Sequence, residues 1–301
     1  MARRTQSNLR ACFYCFLFSF GLAAGEEFDL AQGPADDPIA ALRQRWARTP
    51  ANARANYDLG FAYFGRGQLR EARPFLERAT VLAPSDADSW KALGLLLLKL
   101  NDYGASVLPL QKACSLGADT CYLESRALFL LRRYDEAVKP LEMAMKVALG
   151  SDESKIHRAM AMNFDGLGNA AEAERQFSLA IATFRSASRE RDDPRIDYGT
   201  FLVRHARAEE ALKPLAQALG ASPESPRANA EMARALLDLD RPRDALPHLQ
   251  KAVELDPGSS AIRMQLGKTY LRLGRAAEGE RELRRAREDW EKQSQRSSSV
   301  R

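Results

Sequence analysis

One set of residue types recurs along this chain at intervals near 34 residues, and that recurrence limits the fold more than any other feature. The unit is clearest at Asn56-Tyr57-Asp58-Leu59-Gly60-Phe61-Ala62-Tyr63, followed by Gly67, Ala72, Leu76, Ala79 and Pro84. With Ala53 as position 1, leucine falls at 7, glycine at 8, tyrosine at 11, alanine at 20 and 27, leucine at 24 and proline at 32. The template repeats from Ala87 (Leu93, Gly94, Leu97, Ser106, Leu110, Ala113) and from Ala118 (Leu128, Tyr134, Ala137, Leu141, Ala144). It repeats again from Ser154 (Phe164, Gly168, Ala173, Phe177, Ala180) and from Asp192 (Gly199, Leu202, Ala211, Leu215, Ala218, Pro223). The last two copies start at Pro226 (Leu236, Ala245, Leu249, Ala252, Pro257) and Ser260 (Leu266, Gly267, Tyr270, Gly274, Leu283, Ala286).

The pattern has a packing logic. Small residues at 8, 20 and 27, such as Gly60, Ala72 and Ala79, let two helices cross closely. Large residues at 7, 11 and 24 fill the space between units. Pro84, Pro223 and Pro257 stop the second helix of their units. Gly67, Gly168 and Gly274 fall in the turn between the two helices, where a positive φ costs glycine nothing. No strand-like alternation of useful length occurs. Departures are local: the second unit is short (87–117), Ser125 replaces glycine in the third, and Gly279 replaces alanine in the seventh. The Leu149-Gly150-Ser151-Asp152 stretch loosens the third junction and predicts a hinge near 149–153.

On these residues the chain resembles tetratricopeptide repeat proteins, whose unit is a 34-residue helix–turn–helix. The resemblance covers 53 to about 293, with 39–50 as the second helix of a degenerate leading unit. It implies an all-α, right-handed superhelical solenoid of about seven units, stable only as a continuous stack. It also implies that first helices line a concave groove for a protein or peptide partner. Transferred position by position, the groove of the first three units would carry Tyr57, Phe61, Phe64, Lys91, Leu95, Leu98, Tyr122, Arg126 and Phe129. Units four to seven would add Arg158, Met162, Asp165, Asp197, Thr200, Arg204, Glu231, Arg234, Asp238, Lys268 and Arg272. The first half is aromatic and aliphatic and the second of mixed charge. That division predicts apolar anchors of a partner on the former and its acidic groups near Arg204, Arg234 and Arg272. The alternative is that Phe61, Phe64, Leu95 and Leu98 pack internally or under the helix at 39–48. The lysine, asparagine and arginine set by which some relatives capture a C-terminal carboxylate is absent from any three consecutive units, since Lys91 is followed by Leu95.

Ahead of the repeats, Arg3, Arg4 and Arg10 precede a nearly pure apolar run over 11–24, with Ala23 and Gly25 placed for cleavage before Glu26. This is the secretory signal pattern, and the run is short for a bilayer span. An uncleaved N-terminal anchor is the alternative. The expected organisation is a signal at 1–25, an N-terminal segment at 26–52, the solenoid at 53–293 and a disordered tail at 294–301. The expected location is the periplasm or the exterior. Alanine- and arginine-rich usage and the lack of an Asn-x-Ser/Thr sequon point to a bacterial source. Cys114 and Cys121 lie outside the signal; in an oxidising compartment they form a disulfide, or else they are two small buried apolar residues.

The formal charge is +5, of which three positives lie in the first 25 residues. The remaining chain carries 42 basic (45 less 3) and 40 acidic residues, a balance that gives no electrostatic footprint for nucleic acid. His157, His205 and His248 are far apart and have no metal-ligand spacing. Gly166-Leu167-Gly168 lacks the lysine and strand of a phosphate loop. No cofactor and no catalytic constellation is expected. The function expected is a protein-binding scaffold, the alternative a carrier or sensor holding a lipid or glycan chain against the groove aromatics.

Overall fold

The computed structural model describes residues 38–147, 151–185 and 193–298. The segment read as an export signal, most of the N-terminal segment and residues 149 and 150 of the loosened junction lie outside them, whereas Ser151 and Asp152, read as part of that loosened stretch, begin a helix. A leading helix, α1 (Pro38–Arg48), is followed by seven helix pairs. These are α2 (Ala53–Gly65) with α3 (Leu69–Leu82), α4 (Ala87–Lys99) with α5 (Tyr103–Ser115), and α6 (Cys121–Leu130) with α7 (Tyr134–Val147). Then come α8 (Ser151–Gly166) with α9 (Ala170–Thr183), α10 (Pro194–Arg204) with α11 (Ala208–Ala221), α12 (Pro226–Asp238) with α13 (Pro242–Leu255), and α14 (Ser260–Arg272) with α15 (Ala276–Ser298). The pairs stack as a right-handed superhelical solenoid, and the described residues contain no strand.

Most first helices start where a short polar side chain caps them. Asn52, Asp86, Ser225 and Ser259 each accept a bond from the backbone N–H three residues on, which satisfies a donor the helix itself leaves open. Asp193 caps α10 just ahead of Pro194 at the first helical position, which moves that helix two residues past the template start. The third unit starts at Cys121 rather than 118, because Thr120 Oγ1 turns inward and donates to the Leu110 carbonyl at 2.9 Å.

All seven turns between paired helices close alike. The N–H of Gln68 donates to the Tyr63 carbonyl, and its counterparts in the other six units span 2.8–2.9 Å. The residue before each is left-handed: Gly67, Asn101, Arg132, Gly168, Ala206, Asp240 and Gly274 have φ between 55° and 77°. This is the Schellman closure, and four units make it without glycine.

Inside each pair the small position sets the crossing distance. A Cβ added at Gly60 would lie 2.8 Å from Leu76 Cγ, and one at Gly94 would lie 2.6 Å from Leu110 Cδ2. Ala72, Ala79, Leu59 and Leu76 are all fully buried. The last helix is a correction: it continues to Ser298, past the boundary at 294 read as the start of a disordered tail. After Gly279 it has neither glycine nor proline to stop it, Glu282 pairs with Arg285 one turn on at 3.3 Å, and Gln293 Nε2 donates to the Gly258 carbonyl at 2.6 Å.

Candidate partner-binding groove

First helices of adjacent units approach one another, α2 with α4, α6 with α8, α8 with α10 and α10 with α12, whereas second helices pack mainly on the next first helix. The first helices therefore form the inner wall. On α2, Tyr57 and Phe61 stack with ring centroids 5.5 Å apart, and Phe61 and Phe64 follow at 6.2 Å. Arg54 lies over the Tyr57 ring at 5.1 Å and Lys99 over Phe64 at 4.9 Å. Phe61 is 47% exposed, a large apolar cost left open to water. The helix α1 does not cover it. Ile39, Leu42 and Trp46 pack instead against Leu59, Tyr63 and Phe75, and Trp46 Nε1 donates to Asn56 Oδ1 at 3.1 Å. Lys91 and Leu95 are half-buried on α4. Leu98 is a correction: it is 6% exposed and packs with Leu110 and Ala127, because its position turns toward the next unit.

Between α6 and α8 the wall opens into a cleft that gathers five of the predicted groove residues. Tyr122, Arg126 and Phe129 come from α6, Arg158 and Met162 from α8, with Ser125, Ala159 and Asn163 completing the lining. Lys155 Nζ lies over the Tyr122 ring at 4.3 Å. Arg158 is the second correction. It is 6% exposed and held by Asp197 of α10, Nη1 to Oδ2 at 3.2 Å, and Arg227 of α12 pairs with the other oxygen of Asp197. It ties three units together and is not a surface group awaiting a partner. Burial pushes the Asp197 carboxyl up, but Arg227 and Arg158 outweigh it and hold the group below its ordinary value.

Asn163 escaped the sequence reading. It is 1% exposed, its Nδ2 donates to the Ala159 carbonyl at 2.9 Å, and its Oδ1 is buried with no hydrogen-bond partner. The signal was present in the alignment of units. The same position holds Ala62, Leu96, Ala127, Phe201, Ala235 and Thr269 in the other six, so asparagine alone carries an amide there.

Toward the C-terminus the predicted cations already have carboxylates. Arg204 pairs with Asp165 at 2.5 Å, Arg272 with Asp240 at 2.7 Å, and Arg234 lies 3.9 Å from Glu231. Lys268 is exposed on α14. The histidines bridge neighbouring helices: His157 with Gln176 at 2.7 Å, His205 with Asp165 at 2.8 Å and His248 with Asn229 at 3.0 Å. Cys114 and Cys121 are bonded across the joint between α5 and α6, with Cα atoms 5.1 Å apart. No described helix is long and apolar enough to cross a membrane.

Two models of the tetratricopeptide repeat match this sequence, one over 29–96 and 236–295 and the other over 196–259. The chain belongs to the tetratricopeptide repeat family. Among curated tetratricopeptide relatives, the Hsp70-Hsp90 organizing protein of Triticum aestivum is 25% identical over 194 residues, 63% of this chain and 32% of that protein. The chain thus spans about a third of the length of that relative. Among solved structures, a tetratricopeptide repeat protein from Parabacteroides merdae superposes with a TM-score of 0.62 at 12% identity, covering 78% of this chain and 92% of that one. The Cut9–Hcn1 hetero-tetramer of the APC/C gives 0.54 at 14% identity, over 77% of this chain and 46% of that one. Identities this low speak to the tetratricopeptide fold alone. As in tetratricopeptide proteins generally, the role this fold serves is protein–protein interaction.

Proposed function

We propose that the chain is an exported scaffold or adaptor of the bacterial cell envelope, with no catalytic role of its own, that holds a segment of a partner protein along the first helices of units one to four. The observation that carries this reading is Phe61, 47% exposed on α2 between the half-buried rings of Tyr57 and Phe64, which pack against the core of the first unit. Exposed aromatic surface on a concave wall is where a partner's apolar side chains gain most from leaving water. The paired cations of units five to seven make that half a poor receiver for acidic groups, so the apolar anchors dominate. The disulfide between Cys114 and Cys121 and the signal-like N-terminus support an oxidising compartment outside the cytoplasm. A curated relative is named an Hsp70-Hsp90 organizing protein, which supports a scaffold in kind. The missing carboxylate-capturing set argues against a C-terminal carboxylate as the ligand here. The cleft encloses about 20 Å³, against roughly 300 Å³ or more for sites that hold small molecules, so a lipid or glycan carrier is the weaker reading.

The test is capture of envelope proteins on the tagged chain and on its Phe61→Ala variant, with identification by mass spectrometry. A stoichiometric protein lost on Phe61→Ala, with the melting temperature retained, is the expected result. Equal capture by both chains would remove the groove from the account.

A further inference from the structure

We propose that residues 26–37 of this chain fold back on the first unit and lie in the outer groove between α1 and α3, with Phe28 against Trp46 and Phe75. This surface is the outer one, away from the wall that carries Phe61, so the inference stands apart from the partner-binding reading.

The groove is built where the leading helix meets the first pair. Arg43 and Trp46 of α1 form one side, Phe75 and Arg78 of α3 the other, and Tyr63 of α2 the floor. The Trp46 ring stands edge-on to Phe75 with centroids 5.3 Å apart, and Phe75 stacks on Tyr63 at 5.7 Å. Trp46 and Phe75 are half-buried, so each leaves part of a large apolar ring in water. In the other six units the position of Phe75 holds Pro109, Pro140, Gln176, Pro214, His248 and Glu282. The phenyl ring is therefore particular to this unit and not a demand of the stack.

Charge and tether name the occupant. Together α1 and α3 carry six arginines, Arg43, Arg45, Arg48, Arg70, Arg73 and Arg78, against Glu71 and Glu77. Residues 26–37 lie outside the described part of the chain, and their sequence has five acids, Glu26, Glu27, Asp29, Asp36 and Asp37, and no base. Opposite charge on two such short stretches draws them together. Phe28 and Leu30, set among Glu27 and Asp29, match a pair of rings set between Arg43 and Arg78. Gly33-Pro34 supplies the turn that sends the chain back along α1. The reach suffices: Phe28 stands ten residues ahead of Pro38, up to about 33 Å of chain, and Trp46 lies about 12 Å along α1 from Pro38. A segment so tethered meets the groove at an effective concentration on the order of millimolar, which a free acidic chain does not match. The first unit also has no preceding pair to stack on, and the ends of such stacks are where a cover is needed.

The test is hydrogen exchange by mass spectrometry on the whole protein and on its Phe28→Ser and Phe75→Gln variants. Glutamine occupies the Phe75 position in the fourth unit, at Gln176, so that variant is compatible with the repeat. Phe28 lies ahead of all the described helices, so its replacement leaves their packing in place. The expected result is that the amides of 27–31 exchange about tenfold more slowly in the wild type than in an isolated peptide of 26–37. Each variant should restore the peptide's rate there, with exchange in α4 to α15 unchanged. A wild-type segment that exchanges as fast as the peptide would overturn the inference. Protection that survives both substitutions would also overturn it, because the segment would then lie elsewhere. Protection lost on Phe75→Gln but kept on Phe28→Ser would trace to loosening of α1 and remove the Phe28 contact. A copurified protein or second copy that shields α1 and α3 while 27–31 exchange freely would overturn it in favour of an outside occupant.

Discussion

Arg158 of α8 and Asp197 of α10 form an ion pair at 3.2 Å in which both side chains are almost wholly withdrawn from water. Arg227 of α12 holds the second oxygen of the same carboxylate, so three successive units share one buried anion. Removing one member of such a group leaves the others charged and unsolvated, at a cost of about 3–5 kcal/mol. Asp197→Ala is therefore expected to lose that much stability in urea denaturation, with hydrogen exchange rising in α8, α10 and α12 before it rises in α2 or α14. The pH sign follows from the lowered carboxyl. The stabilisation is present above its ordinary value of 3.8 and is lost as pH falls through the lower native value. A uniform loss of protection along the whole stack would contradict the local account.

Glu124 predicts the opposite pH response. It stands in α6 at the position that Leu59, Leu93 and Leu266 fill in other units, and it is 4% exposed. Burial pushes its carboxyl up to about 7, and attraction to Lys139 offsets only part of that. The native state then holds a proton that the unfolded chain releases near 4.5. Stability falls as pH rises from 4.5 to 7, and the penalty is complete above that range. Its size is of order 3 kcal/mol. Glu124→Leu should raise stability at pH 8 by roughly that amount and flatten the profile between pH 5 and 7. A variant whose profile keeps the wild-type slope would show that another group is responsible.

The spacing of small and large residues made the helix pairs legible, because one crossing geometry imposes the same choice seven times, as at Gly60 against Leu76. Side-chain roles were legible only where a single position decides them. Phe61 is exposed on α2, whereas Arg158 was read as a surface group although its partner, 39 residues away on another unit, buries it. Leu98 was misplaced for a related reason: the neighbour that buries it, Ala127, belongs to the following unit. Asn163 and Glu124 were not singled out in the sequence, although each is a polar residue at a position that is apolar or threonine in other units. That contrast marks a site but does not say what it faces; the orphaned oxygen and the raised carboxyl supply the rest.

The turns between paired helices give a backbone prediction that needs no partner. Arg132 and Ala206 adopt φ of 61° and 58°, where an L-residue is strained by roughly 1–2 kcal/mol, while Gly67, Gly168 and Gly274 make the same turn freely. Ala206→Gly and Arg132→Gly are expected to stabilise by about 0.5–1 kcal/mol, once the greater freedom of glycine in the unfolded chain is allowed for. Gly67→Ala should destabilise by about 1 kcal/mol. Thermal melts of the three variants check this, and a loss of stability on Ala206→Gly would mean that unfolded-state entropy outweighs the strain.

The disulfide makes the joint between the second and third units depend on redox state. Cys114 ends one second helix and Cys121 begins the next first helix, so the bond closes a loop of only a few residues around Gly117, which has φ of 91°. Closing a loop that short restricts the unfolded chain by about 2–3 kcal/mol in the entropic account. Reduction, or Cys114→Ala with Cys121→Ala, should cost roughly that much. Because units stabilise only their neighbours, added hydrogen exchange should be confined to α5 and α6 and the helices packed on them. Equal melting temperatures with and without reductant would show that packing of Leu110, Thr120 and Leu141 holds the joint without the covalent link.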